Sequence, residues 1–475
     1  MMRRLMAILR KPVVPRNRER GVALLVVITW IALMVALVSE FTYGTTVDAA
    51  QAANARDEVR AHYMALSSVN LSRLLIKIQQ RFVDPVMSQA QQMLSSFMGG
   101  ANGANGANNG SKDNSSGAGS ALGGLGISLR VTDYAGTLMG FFSGSKDEVA
   151  GLGSLIGIDT ANIKGLGMSS GRFDAEITSE DGKIDLNCGS GIPNADAKKK
   201  QITDFRLLNA LMYSRRFDRL FSEADAEGQF TTRIDVARAL VDWADVDEQG
   251  FAIDGTSATG EDYRYDAQRD RYRAHDNSFD TTDEMKMVRG VSEGFIEAFE
   301  PSLTVYPSNK DCKVNLGAIT NKNGGDCTPL LMGVIRATAL SDPSKPPSDA
   351  AILDDTRLYP VASLLCDRAS AAGFDSLDSI VKVLQNPQTA VMPDDPRYKT
   401  FQSLSPIDIK AADIGNYAYV KTTSRVYRIV ATGEAGRVKK KITVIVDTGR
   451  RPENYFTLNS MSEQGNGVIQ YWREE

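Results

Sequence analysis

The chain has 475 residues, 42% of them hydrophobic, which is too long for one ordinary domain and too apolar for a disordered polymer. Lys and Arg total 54 against 58 Asp and Glu; the formal net charge of −4 leaves no basic excess to neutralise phosphates and argues against nucleic-acid binding. Histidine is limited to His62 and His275, which excludes a multi-histidine metal centre and leaves only two bases for a Ser-His-Asp or Cys-His site.

Residues 1–21 carry seven Arg/Lys and a single acid, Glu19, and an uncharged apolar run, 22–38, follows. At ~1.5 Å per residue its ~17 residues give a rod of about 25 Å, close to the minimum for a bilayer span. Positive charge before the run and none directly after it places the N-terminus in the cytoplasm and the bulk of the chain outside. A secretory signal peptide would be cut near Ala49, Ala50 and Ala52, and a plain signal anchor would not be cut. A third reading fits better. Arg18-Glu19-Arg20-Gly21 resembles a type IV prepilin-like leader, cut after Gly21 so that Val22 begins the mature chain and the apolar helix is kept.

No proline occurs from 40 to 82, and Pro85 supplies a stop. Val59, Tyr63, Leu66, Leu71, Leu74, Leu75, Ile78 and Phe82 recur mostly at spacings of three and four, predicting an apolar helical face that packs on a soluble domain. The segment reads either as one helix over 22–82, ~90 Å long at the standard rise, or as two helices broken at Gly44.

Residues 97–125 are Gly/Asn/Ser-rich and predict a flexible loop; no GK[ST] follows to make it a phosphate cradle. Strands are predicted over 127–131, 172–177 and 183–186, the last two joined by an Asp181-Gly182 hairpin turn. Helices follow over 202–220, 231–243 and 377–384, then strands over 417–423, 426–432 and 438–446 with a turn at 433–436. This order predicts an α+β protein: a cytoplasmic leader over 1–21, a transmembrane stretch over 22–38 and its helical continuation over 39–96. Beyond the loop come the first part of a β domain (126–197), an inserted α-helical domain (198–400) and C-terminal strands (401–475).

The chemistry concentrates in one acidic stretch. Asp242, Asp245 and Asp247 can converge at a helix end, and Glu261, Asp262 and Asp266 are near enough in sequence to fold back on them. Carboxylates packed so closely repel, and a hard divalent cation with oxygen ligands resolves the repulsion; an irregular loop suits calcium better than magnesium. The spacing is not that of an EF-hand, and a solvated acidic loop is the plain alternative. A glycosidase-like carboxylate pair is the enzymatic one, although Tyr263, Tyr265 and Tyr272 suggest packing rather than a sugar cleft.

Taken in order, these segments resemble the minor pseudopilin K family of the type II secretion system. The likeness is carried by the Gly21 leader, by Val22-Ala23-Leu24-Leu25-Val26-Val27 without a glutamate at the fifth mature position, and by Gly182-Lys183-Ile184-Asp185-Leu186-Asn187. It continues through Asp242-Trp243-Ala244-Asp245-Val246-Asp247, Glu261-Asp262-Tyr263, the stretch from Asp283 to Gly290, and Lys313-Val314-Asn315-Leu316. The Gly/Asn-rich insert, the Pro-rich loop over 341–348 and Gly317 depart from the family pattern. The resemblance implies a pseudopilin fold, with a long, partly transmembrane N-terminal helix on an antiparallel sheet and a large inserted helical domain. It implies a non-enzymatic subunit in the bacterial inner membrane, single-pass and mostly periplasmic, processed by prepilin peptidase and methylated at Val22. It also implies assembly with minor pseudopilins I and J, and with other pseudopilins, at the pseudopilus tip. One or two Ca2+ ions would be held by Asp242, Asp245, Asp247, Glu261 and Asp262, with Asp266 and Asn277 as weaker ligands. A tip subunit has no neighbour above it whose N-terminal ammonium needs a partner, so Val26 avoids an unpaired carboxylate in lipid. The alternative is a membrane-anchored, calcium-dependent binding or hydrolytic ectodomain.

Cys188, Cys312, Cys327 and Cys366 all fall in the outward-facing part, where disulfides persist. Of the three pairings, Cys312–Cys327 is expected, closing a turn-rich loop through Asn323-Gly324-Gly325, with Cys188–Cys366 as the second bridge. A four-thiolate zinc site lacks the C-x-x-C spacing.

Overall fold

The computed structural model describes residues 19–83, 130–133, 135, 136, 139, 171–191, 194–222, 231–253, 260, 261, 265, 272–306, 311–319, 326–340, 349–371, 373–449 and 467–475. Most of the leader and the whole Gly/Asn-rich segment 97–125 lie outside these residues. Helix α1 spans Glu19–Ile78 without interruption and continues as a π-helical turn, Gln79–Val83. Gly44 does not break it: one glycine costs a helix about 1 kcal/mol, too little to stop a proline-free run of this length. Inside the apolar run the Thr29 hydroxyl donates to the Val26 carbonyl at 2.8 Å, so its polar atom is satisfied within the helix.

Residues 22–43 are exposed on every side, and α1 meets the sheet from Asp57 and Glu58 onward, where Glu58 bonds Lys440 of β7 at 2.8 Å and Asp57 lies against Gly436. The buried stripe is only partly the expected one: Leu75 is buried, and Leu66 and Leu71 pack partly buried against the core. Val59, Tyr63, Leu74, Ile78 and Phe82 face outward, whereas Ala61, Met64, Ala65, Ser68, Val69, Ser72, Leu75 and Ile76 are buried. Close approach of a helix backbone to a sheet selects small residues, which a pattern of large apolar side chains does not register.

The strands are β1 (Gly171–Ser179), β2 (Ile184–Asp185), β3 (Leu303–Thr304), β4 (Val314–Asn315), β5 (Ala418–Tyr419), β6 (Val426–Ala435), β7 (Val438–Asp447) and β8 (Val468–Glu474). The main sheet has order β1-β6-β7-β8 and is antiparallel throughout. Period-two alternation puts Phe173, Ala175, Ile177, Ile429, Ala431 and Val444 against α1. β8, which the sequence pattern did not suggest, ties three parts together. Its Arg473 bonds Asp283 in the insertion at 3.3 Å, Glu474 lies 3.6 Å from His62 of α1, and Arg73 donates to the Gly467 carbonyl just before it.

At the crossing of α1 and β6, a Cβ on Gly433 would sit 2.1 Å from the Ala61 carbonyl oxygen and 2.5 Å from the Ala65 nitrogen. Gly433 is therefore a strand position, paired with Phe173, and not part of the turn expected at 433–436. Gly433→Val should cost about 1–3 kcal/mol by forcing helix and sheet apart. Urea denaturation of the variant beside the parent checks it.

Three other expected elements are corrected. Of the strand expected over 127–131, residues 127–129 lie outside the described residues, and Val131 begins a helical turn over 131–133 rather than ending a strand. Of 417–423 only Ala418–Tyr419 is extended, pairing in parallel with β4. Asp181-Gly182 does not close a hairpin, because β1 pairs with β6 and β2 runs parallel to β3. The Asp181 carboxylate instead accepts from the Arg425 and Val426 backbone N–H groups at 2.8 and 3.0 Å, fastening the place where the chain leaves the sheet to the place where it returns.

Everything from 180 to 425 is an insertion between two adjacent strands, wider at both ends than the expected 198–400. Its core is built on α2 (Ala195–Leu211), α3 (Arg233–Ala244), α4 (Thr328–Ala339), α5 (Asp355–Ala371) and α6 (Leu377–Gln385). α2 starts at Asn194, whose side chain accepts from Ala197 N, and α3 starts with a Thr232/Asp235 capping box. The disulfides differ from expectation: Cys188 pairs with Cys312 and Cys327 with Cys366. Cys327 stands directly before α4, which packs on α5 bearing Cys366, so helix packing rather than loop length selects its partner. With all four thiols in bridges, none is left for zinc.

At the neck of the insertion, Glu180 is fully buried and bonds both Lys183 at 3.1 Å and Arg428 at 2.6 Å. Burial raises its pKa, but the two cations outweigh that and bring it down to about 2. Arg425 grips Asp447 through two hydrogen bonds of 2.9 and 3.0 Å.

Candidate cation site

α3 ends in the acidic stretch. Asp242 lies in its last turn, and Asp245 is its C-cap, with extended backbone. A helix C-terminus is the negative end of the helix dipole, so two carboxylates there are electrostatically unfavourable by themselves. The loop after Asp247 folds back through a bridge between Gln249 and Gly260, and Glu261 N donates to the Glu248 carbonyl at 3.4 Å. That return brings Glu261 to the helix end. One carboxylate oxygen each from Asp242, Asp245 and Glu261 lie within 4.8 Å of one another, and all three residues are buried.

Asp242 and Asp245 each have one oxygen with a protein partner. Asp242 Oδ1 accepts from Phe251 N at 2.6 Å, and Asp245 Oδ2 accepts from Gln201 Nε2 at 2.9 Å. Asp245 Oδ1 and both Glu261 oxygens are buried without a hydrogen bond. Burial, with Asp247, Asp242 and Asp276 around it, pushes Asp245 up to about 8. Burial, Asp242, Asp245, Asp276 and Asp247 push Glu261 up to about 10. Buried carboxylate oxygens without donors, crowded at the negative end of a helix, suit a hard cation that takes six to eight oxygen ligands. A cavity of about 340 Å³, lined by Asp245, Asp247, Asn194, Lys198 and Gln249, opens beside them.

Of the sequence candidates, the structure unites Asp242, Asp245 and Glu261. Asp247 is half-buried beside them, with Oδ1 accepting from Gln249 N at 2.8 Å. Asn277 is exposed, and its Oδ1 accepts from Ser278 N at 2.8 Å. Asp262 and Asp266 lie outside the described residues, as do residues 1–18 of the leader, and Gly21 falls within α1. Sequence reasoning missed Gln201 and Asp276. Asp276, at a left-handed φ of 50°, stands one residue from the Asn277 candidate.

The aromatic residues wall the loop in. Trp243 contacts Tyr265 and Phe279, Tyr265 meets Tyr272, and Trp243 Nε1 donates to Glu284 Oε1 at 3.1 Å. Tyr265 is buried, so its ring is used for packing and not for lining a cleft. Among the described residues one helix, within Val22–Phe82, is long and apolar enough to cross a membrane.

Fold and site together define an α+β protein with a long, apolar N-terminal helix, whose sheet is interrupted by a helical domain with a buried acidic centre. Residues 195–308, which contain that centre, match the family model described as Type II secretion system (T2SS), protein K. The likeness to this family read from the sequence motifs is thus borne out over that stretch. No curated relative matches the chain. Among solved structures it is similar to a chain of the GspK-GspI-GspJ complex from the enterotoxigenic Escherichia coli Type 2 Secretion System. That likeness has 12% identity and a TM-score of 0.39, over 65% of this chain and 81% of that one.

Proposed function

We propose that the chain is the protein K type of minor pseudopilin in a type II secretion system. On this reading it is a non-enzymatic subunit that assembles with minor pseudopilins I and J at the tip of the pseudopilus, initiating or capping the filament in support of protein export. α1 anchors it in the inner membrane with the N-terminus cytoplasmic and the bulk of the chain periplasmic. Prepilin peptidase cuts after Gly21, and methylated Val22 becomes the N-terminus.

The observation that carries the proposal is the family match over residues 195–308, inside an insertion whose host sheet packs on the lower half of an apolar N-terminal helix. The breadth of that insertion, 180–425, supports a capping role, since a body of this size beside the sheet leaves little room for a further subunit. Asp242, Asp245 and Glu261, with Asp247 and Asp276 around them, hold one or two Ca2+ ions in this reading, and Asp262 and Asp266 supply further oxygens. The ion neutralises the cluster and locks the acidic loop to the end of α3.

Co-expression with prepilin peptidase and minor pseudopilins I and J tests this directly. A mature chain that begins at methylated Val22 and elutes as a complex with both partners supports it. A chain that keeps Met1, or begins near Ala52, and that elutes alone would favour a calcium-dependent binding or hydrolytic ectodomain.

A further inference from the structure

Resting on the cation site proposed above, we infer that the turn over 187–191, held by the Cys188–Cys312 bridge, is a splint that positions the acidic centre. Cation affinity then depends on that bridge and not on Cys327–Cys366.

Three contacts run from this short turn to the carboxylate-bearing segments. Gly191 forms a parallel bridge with Asp245 itself. Gly189 presses on α2 at Gln201: a Cβ there would fall 2.7 Å from Gln201 Cγ and 3.1 Å from its backbone nitrogen. Gln201, buried and so placed, donates the 2.9 Å hydrogen bond to Asp245 Oδ2. Asn187 clamps Phe279 on both backbone groups, accepting from its N–H at 2.7 Å and donating to its carbonyl at 2.9 Å. Phe279 lies three residues beyond Asp276, the carboxylate that faces Asp245 and Glu261 from a separate loop. Asn187 also donates to the Val305 carbonyl at 2.7 Å, which anchors the turn to the chain after β3.

The bridge fixes the other side of the turn. Cys312 lies two residues before β4, and Asn315 N in β4 donates to the Asp181 carbonyl at 2.8 Å, at the neck of the insertion. The turn is thereby referenced to a rigid junction and not to the acidic loop alone. Cys327–Cys366 instead joins α4 to α5 within the helical core. Residues that orient ligands without touching the ion are worth about 10–100-fold in metal affinity.

Calorimetric titration of the full chain in detergent with calcium tests the splint, at a temperature where every variant is folded, because an unfolded fraction alone lowers apparent affinity. Glu261→Gln serves as the blank for binding elsewhere. The Cys188→Ser/Cys312→Ser variant should bind calcium about 10-fold more weakly or worse, while Cys327→Ser/Cys366→Ser stays within about twofold. Gln201→Leu, with both bridges intact, should lose about 10-fold, which keeps the test open if the bridge variant does not fold. Parent-like affinity in the Cys188/Cys312 and Gln201 variants, or equal losses from breaking either bridge, overturns the splint and leaves the site standing. A parent no different from Glu261→Gln overturns the site and the splint together.

Discussion

Glu180→Ala is expected to destabilise the folded chain by about 3–5 kcal/mol, because it strands two cations at the neck of the insertion. Lys183 and Arg428 both lean on this one fully buried carboxylate, and Arg428 belongs to β6, the strand on which the chain returns to the sheet. Burial of the three charges is costly by itself. Their hydrogen bonds offset that cost only while the set is complete. The variant should therefore unfold at lower urea and expose the insertion to protease before the α1–sheet unit. The same group sets an acid limit. Its folded pKa of about 2 lies below the unfolded value of 4.5, so its contribution is complete above about pH 4.5 and is lost as pH falls toward 2. Melts between pH 6 and pH 2 should show a slope in the parent that Glu180→Gln lacks. An unchanged slope would mean that Glu180 does not secure the neck.

Glu261→Gln should abolish calcium-dependent stabilisation and, without calcium, make the protein more stable than its parent at pH 8. Both of its oxygens are buried without donors beside Asp242 and Asp245. Its folded pKa of about 10, like the value near 8 for Asp245, lies above the unfolded carboxylate range. The sign is opposite to that of Glu180: without an ion, the contribution of these two carboxyls is greatest below about pH 4 and falls as pH rises toward 8–10. Calcium should consequently stabilise the parent more at pH 8 than at pH 5. With calcium at 100 times its dissociation constant the gain is about 2.7 kcal/mol, before any change in affinity with pH. Melts in calcium and in chelator, for parent and variant at both pH values, measure this. Equal calcium effects on parent and variant would remove Glu261 from the ligand set.

The two sites differ in how far they could be read in advance. Asp242, Asp245, Asp247 and Glu261 are close in the chain, and charge density alone marks them. Gln201 and Asp276 reach the same place from α2 and from a separate loop, and neither residue type nor local spacing marks them there. Asp181 has the local preference of a turn residue, but its carboxylate is used 244 residues away, on Arg425. The Asn187 motif was visible as a string, but its three hydrogen bonds to Phe279 and Val305 belong to the assembled insertion.

Sequence by itself determined what depends on neighbours along the chain: the apolar N-terminal helix, the alternation of β1, β6 and β7, the helical character of α3, and the crowding of acids after Asp242. Tertiary structure decided which face of α1 is buried, which cysteines pair, that β1 joins β6 across the whole insertion, and which residues surround the acidic centre. Periodicity, capping and charge density act over a few residues and leave their mark in the string. Close backbone approach, as at Gly433 and Gly189, and the pairing of buried groups depend on which surfaces meet, and that is settled only when the two ends of the insertion are fastened together.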